Sequence, residues 1–198
     1  MSIRVIAGSA KGRKLKLVPG DTTRPVMDRV KESLFNIIGR DIINATFLDL
    51  FAGTGSVGIE ALSRGAKHAV FVDMERQAIQ TIQANITVTK FGDKATIRRD
   101  DAFNFLKQGP TQVFDFIYIA PPQYMGMWQQ VLQALDSNPG WLNEYSSIIV
   151  QIDPSEAASV ALEHLETVDQ RRYGNTLLWF FAVTQKQPDS DAPQEKST

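Results

Sequence analysis

The chain has 198 residues, 43% of them apolar, with 21 basic side chains against 22 acidic ones, which suits one domain with a sizeable core and a net charge near zero. It contains no cysteine, which excludes disulfides, thiolate metal sites and cysteine nucleophiles, and with only His68 and His164 as imidazoles no metal site is expected. The N-terminus lacks the apolar stretch of a signal peptide, and the run Leu177–Val183 is far short of the ~20 residues that span a bilayer, so a cytoplasmic protein without membrane contact is expected.

Residues 1–40 hold nine Arg or Lys against three acids, a net of +6 that leaves −7 for the rest. Residues 3–20 read as a hairpin: Ile3–Ile6, a turn through Gly8 and Gly12, then the alternating Lys14, Leu15, Lys16 and Leu17. A basic arm on an acidic body suits a polyanion partner, because Lys and Arg that neutralise phosphates drive nucleic-acid affinity. Lys11, Arg13, Lys14, Lys16 and Arg29 are the candidate contacts. Thr23 and Pro25 are placed to open a helix whose apolar stripe is Val30, Leu34, Ile37 and Ile38.

From residue 46 strands and helices alternate. Strands are expected at 46–51, 69–73, 95–99, 114–119 and 147–152, with helices such as 56–63, 75–87 and 125–135 between them. Apolar strands with helical crossovers give an α/β, doubly wound parallel sheet. Residues 168–172 and 176–183, around Tyr173-Gly174-Asn175, read as a closing antiparallel hairpin. The expected domain is 1–184; residues 185–198 carry no core-forming side chain and read as a disordered tail.

Phe47 to Gly58 is a strand, a glycine-rich turn and a helix start, with Gly53, Gly55 and Gly58 in G-x-G-x-x-G spacing and Asp73 twenty residues after Gly53. Glycines let a backbone bend sharply against a ligand, and a strand-end acid accepts ribose hydroxyls. Alone, this suits NAD as well as S-adenosylmethionine. Asp49 favours the second: a carboxylate before the glycines repels a pyrophosphate and attracts an ammonium or sulfonium. Asp101-Ala102, after the third strand, is placed to bond an adenine amino group, or else to cap the following helix.

Further motifs carry a family resemblance. Gly12-Arg13-Lys14-Leu15, Thr23-Arg24-Pro25, the string Asp28 to Asn36, the Asp49–Gly58 loop and the late Tyr173-Gly174 resemble the bacterial 16S rRNA guanine-N2 methyltransferases of the RsmD type, nearly end to end. The resemblance implies a Rossmann-like class I methyltransferase with a seven-stranded, mostly parallel sheet and an antiparallel last strand, an N-terminal β-hairpin, S-adenosylmethionine as cofactor, and 16S rRNA or the small ribosomal subunit as partner. It implies cofactor contacts at Arg24, Asp28, Asp49, Phe51, Gly53, Gly55, Asp73, Met74, Asp101 and Ala102.

One position departs from that family. Where members carry Asp or Asn before Pro-Pro, this chain has Ala120, followed by Pro121, Pro122, Gln123 and Tyr124. The missing side chain would accept a hydrogen bond from the target amine, and losing one such interaction costs ~10²–10³ in rate. The backbone carbonyls of Ala120 and Pro121, with the Gln123 amide, are the candidate replacements, and Tyr124 a candidate stacking surface. Trp128, four residues on, suits either that surface or the core. Three readings stay open: an active rRNA enzyme, a cofactor-binding RNA-binding protein with little activity, and an amino methyltransferase for another substrate.

Overall fold

The computed structural model describes residues 3–20 and 26–185. Arg24, Thr23 and Pro25, and the tail from residue 186, fall outside them. The helix that the sequence starts near Pro25 runs from Asp28 to Ile38 (α1), with extended Met27 before it. Its buried face is Val30, Lys31, Leu34, Phe35 and Ile38; Ile37, expected in the apolar stripe, is exposed.

The arm contributes two short strands, β1 (Ile3–Arg4) and β2 (Lys14–Leu15). The remaining elements are β3 (Thr46–Leu50), α2 (Ser56–Ser63), β4 (His68–Asp73), α3 (Arg76–Thr89), β5 (Ala95–Arg99), α4 (Ala102–Lys107), β6 (Phe116–Ile119), α5 (Met127–Asp136), β7 (Ser147–Ile152), β8 (Leu165–Tyr173) and β9 (Thr176–Val183). The seven strands of the main sheet lie in the order β5-β4-β3-β6-β7-β9-β8. β3 pairs in parallel with both β4 and β6, and β9 runs antiparallel between β7 and β8. The chain therefore leaves β3 in one direction and returns on its other side, which makes the β3/β6 boundary the switch point where such sheets bind ligands.

Alternation along the strands divides the core. Phe47, Phe71, Phe116 and Tyr118 face α1, α2 and α3, whereas Leu48, Val70, Ile117 and Ile119 face α4 and α5. Two glycine positions explain close packing. A Cβ on Gly58 would sit 2.4 Å from the Phe71 ring, so the third glycine of the motif seats α2 against β4; a Cβ on Gly8, at φ +82°, would strike the Ser63 carbonyl. β5 is an edge strand of the sheet, with three of its five residues exposed.

The N-terminal arm differs most from expectation. Its strands are only two residues each, because most of its backbone bonds go to the body of the protein instead. Glu60, fully buried on α2, accepts from the Ile6 amide at 2.8 Å and the Ala7 amide at 2.9 Å, and pairs with Arg64 at 2.8 Å. Lys31, fully buried on α1, lies 3.6 Å from Glu60 and donates to the Arg4 carbonyl at 2.6 Å. Burial pulls the Lys31 ammonium below its usual range, opposed chiefly by the Glu60 charge. Glu60→Ala leaves a buried cation and two arm amides without their acceptor, and should lower stability by about 3–5 kcal/mol in urea denaturation. Glu60→Gln, which keeps an oxygen, should cost less.

Candidate active site

The carboxyl ends of β3, β4, β5, β6 and β7 converge at one edge of the sheet. After β3 the chain turns through Phe51, which holds a left-handed backbone at φ 63°, and through Gly53 and Gly55 at φ 55° and 73°. A non-glycine residue there costs about 1–2 kcal/mol, and such strain clusters at functional sites. Asp73, at the end of β4, holds the turn from the side: Oδ2 accepts the Gly53 N–H at 2.8 Å and Oδ1 the Glu75 N–H at 2.9 Å. Met74 beyond it is exposed, offering an apolar surface beside the acid.

Asp49 lies beneath this turn, 2% exposed, with Oδ2 accepting the Gly58 N–H at 3.0 Å. Its Oδ1 has no protein partner among the described residues. Burial pushes its carboxyl up to about 8, the Gly58 amide opposing and the Asp73 charge adding to the rise. Beside Asp49 in register is Tyr118, whose buried hydroxyl donates to Gln151 Oε1 at 2.6 Å. Burial, and then the Asp49 charge, raise the Tyr118 phenol well above its ordinary range. A carboxyl raised by burial is stabilised in its charged form by a cation brought beside it.

Asp101 precedes α4 and its Oδ1 accepts from Phe103 and Asn104, both at 3.0 Å, so it caps the helix. Its other oxygen remains available for an adenine amine, and capping and adenine binding are compatible. Ala102 is buried as the first residue of α4. Asp28 is ion-paired with exposed Arg4 at 3.2 Å.

The loop after β6 holds Ala120, half-buried against the α1 side of the core, then buried Pro121 and exposed Pro122 and Gln123. Tyr124 is 69% exposed and holds the second left-handed aromatic backbone at this edge, at φ 63°. Gly126, at φ 62°, delays α5 to Met127. Trp128 is 1% exposed and packs on Trp179 with ring centroids 5.3 Å apart, so it belongs to the core and not to the loop's surface.

Lys11, Arg13, Lys14, Lys16 and Arg29 are all exposed. Three polar residues of this region carry no signal in the sequence. Fully buried Asn85 accepts the Lys16 N–H at 2.7 Å and donates to the Lys16 and Thr54 carbonyls, tying the basic arm to the glycine turn. Gln151 stands on the strand beside Ala120, and Glu156 reaches Tyr124. Asn85 and Gln151 lie in no local motif and Glu156 only in the cap of its own turn; adjacency in the fold brings all three here.

A cleft of about 700 Å³ opens at the opposite edge, lined by Ile37, Asp41, Asn44, Asp115, Tyr145 and Val168 among others. It lies at the strand starts, away from the switch point and from every glycine-loop residue, so the carboxyl edge is the better candidate.

The chain matches the family described as Conserved hypothetical protein 95 over residues 3–182. It is 34% identical to the ribosomal RNA small subunit methyltransferase D of Escherichia coli, spanning 86% of this chain and 87% of that one. The enzyme of the same name from Haemophilus influenzae is 35% identical over 76% of this chain and 79% of its own. The chain belongs to the RsmD-type methyltransferase family. Its fold agrees with the solved yhhF structure of Escherichia coli at a TM-score of 0.80 and 30% identity, covering 92% of this chain and 98% of that one. The seven-stranded sheet and N-terminal arm that the RsmD-type motifs imply are both present. Among the described residues no helix is long and apolar enough to cross a membrane, and no group of His, Asp and Glu is placed to hold a metal.

Proposed function

We propose that this chain is an S-adenosylmethionine-dependent methyltransferase acting on the N2 amino group of a guanine in 16S rRNA, free or within the small subunit. The observation that carries the cofactor is Asp49: buried beneath the glycine turn, one oxygen unpartnered among the described residues, and pushed up to about 8 chiefly by burial. An ammonium supplies a cation beside it; a pyrophosphate would add a second negative charge. When bound, S-adenosylmethionine supplies an electrophilic methyl group on a sulfonium. Asp49 is assigned to its ammonium, Asp73 to the ribose hydroxyls, Phe51, Gly53 and Gly55 to close backbone contact, and Met74, Asp101 and Ala102 to the adenine. Arg24 and Asp28 are assigned to the methionine end.

The amine of guanine is a poor nucleophile because its lone pair is delocalised into the ring. Acceptors that hold its hydrogens turn the lone pair out of conjugation and toward the methyl group. The carbonyls of Ala120 and Pro121, stiffened by two prolines, are assigned that role with Gln123, and Tyr124 is assigned the stacking of the flipped base. The name carried by the relatives and the exposed basic arm support rRNA as the substrate. In calorimetry the protein should bind S-adenosylmethionine with a Kd of about 10 μM or less and should not bind NADH; the reverse pattern sinks the cofactor assignment.

Lys14 and Lys16 are exposed and unpaired among the described residues, as suits sequence-independent phosphate contacts. Changing both to Glu should weaken rRNA binding and flatten its logarithmic salt slope by roughly one to two. An unchanged slope returns the arm to an ordinary solvated surface.

A further inference from the structure

We propose that Glu156 is a positioning residue for the substrate base: from the turn that follows β7 it holds Tyr124 in its left-handed backbone and so sets where the phenol ring stands in the substrate loop. This rests on the reading of residues 120–124 as the substrate loop. The two residues come from different loops, 32 positions apart, and meet only because β6 and β7 are neighbours in the sheet. Glu156 Oε2 accepts the Tyr124 N–H at 2.7 Å. Tyrosine is a poor choice for φ 63° on its own account, so the loop needs an outside anchor to keep it there.

That anchor is itself fixed. Glu156 closes the short turn Pro154–Glu156 in a reciprocal cap: Asp153 Oδ1 accepts the Ser155 N–H at 2.9 Å and the Ser155 hydroxyl at 2.7 Å, while the Asp153 N–H donates to Glu156 Oε1. The Ser155 hydroxyl and amide hold the Asp153 carboxyl below the usual range, and the Tyr124 hydroxyl and Arg172 guanidinium pull it the same way. Backbone and ring of Tyr124 are thus both approached by carboxylates of one rigid turn. A stacking surface set before the base arrives avoids the cost of ordering it during binding.

The test uses the full chain, tritiated S-adenosylmethionine and rRNA that lacks the modification. Glu156→Ala should lower kcat/KM for RNA about tenfold, within the range a base–aromatic stack contributes. Glu156→Gln, whose amide oxygen still accepts an N–H, should recover most of it. Cofactor affinity and melting temperature should stay close to wild type in both. In a Tyr124→Ala background, Glu156→Ala should have no further effect, because the two act through one ring. Equal losses in the two backgrounds, failure of glutamine to rescue, or a fall in cofactor affinity of the same size would overturn the proposal. An active wild type with an insensitive Glu156→Ala defeats this inference alone; a wild type that transfers no methyl group defeats the loop reading and this inference together.

Discussion

Asp49→Asn should weaken S-adenosylmethionine binding by ~100-fold or more while making the ligand-free protein more stable above pH 8. Both effects have one source, a carboxylate held in the interior without a cation. The folded chain keeps the Asp49 proton up to a pH of about 8, whereas the unfolded chain releases it near the ordinary 3.8. Stability that is fully present below pH 4 is therefore lost as the pH rises through 8, and beyond that the penalty is complete. Asparagine carries no charge, keeps an oxygen for the Gly58 amide, and escapes the penalty. Relaxation and water entry reduce the full linkage value, so a gain of about 2–4 kcal/mol at pH 8.5 is expected, falling to roughly a third of that at pH 5 and vanishing below pH 4.

The same proton governs binding. Below pH 8 Asp49 must shed it to meet the cofactor's ammonium, so wild-type affinity should rise from pH 6 to 8 and then level. In the asparagine variant affinity should be weaker by ~100-fold or more and insensitive to pH over that interval, because a buried charge pair loses one partner. Urea denaturation at two pH values and calorimetry across the interval read both halves. A variant that binds as well as wild type would remove Asp49 from the site.

The second large effect concerns the loop after β6. Tyr124→Ala should cut methyl transfer by ~10- to 100-fold, the size of a lost base stack, with cofactor affinity within about twofold of wild type. Ala120→Asp places a carboxylate where backbone carbonyls now act alone, on the same face as Tyr118 and beside Gln151. It should keep or raise the rate, by up to ~10²–10³ if the carbonyls are poor acceptors. A loss of activity in Ala120→Asp together with a neutral Tyr124→Ala would place the base elsewhere.

The parts of the fold visible in the sequence are those written in neighbouring residues. The helix Ser56–Ser63 follows a glycine turn and begins where expected; α4 begins behind its Asp101 cap; the strands at 95–99 and 147–152 agree to the residue. Trp128 is also readable in principle, since it continues the buried spacing of Val131, Leu132 and Leu135 along α5. What escapes depends on residues far apart. The arm looks like a free hairpin because nothing local shows that Glu60, Ser63 and Asn85 take its backbone bonds across more than 50 positions. The motif marks Asp49 as a cofactor residue, but its elevated pKa arises from burial that only the packed α2–β4 layer creates. Glu156 and Gln151 need the β6–β7 adjacency, which sequence order alone does not supply.

Methyl transfer without a side-chain acceptor at position 120 is tested most directly on the wild-type protein. It is incubated with tritiated S-adenosylmethionine and either rRNA or small-subunit particles that lack the modification, and the RNA is then digested to nucleosides. The expected result is stoichiometric label in N2-methylguanosine, absent with Asp49→Asn. If wild type labels no nucleoside while Ala120→Asp does, the chain is a cofactor-binding RNA-binding protein that has lost its activity, and catalysis by backbone acceptors is contradicted.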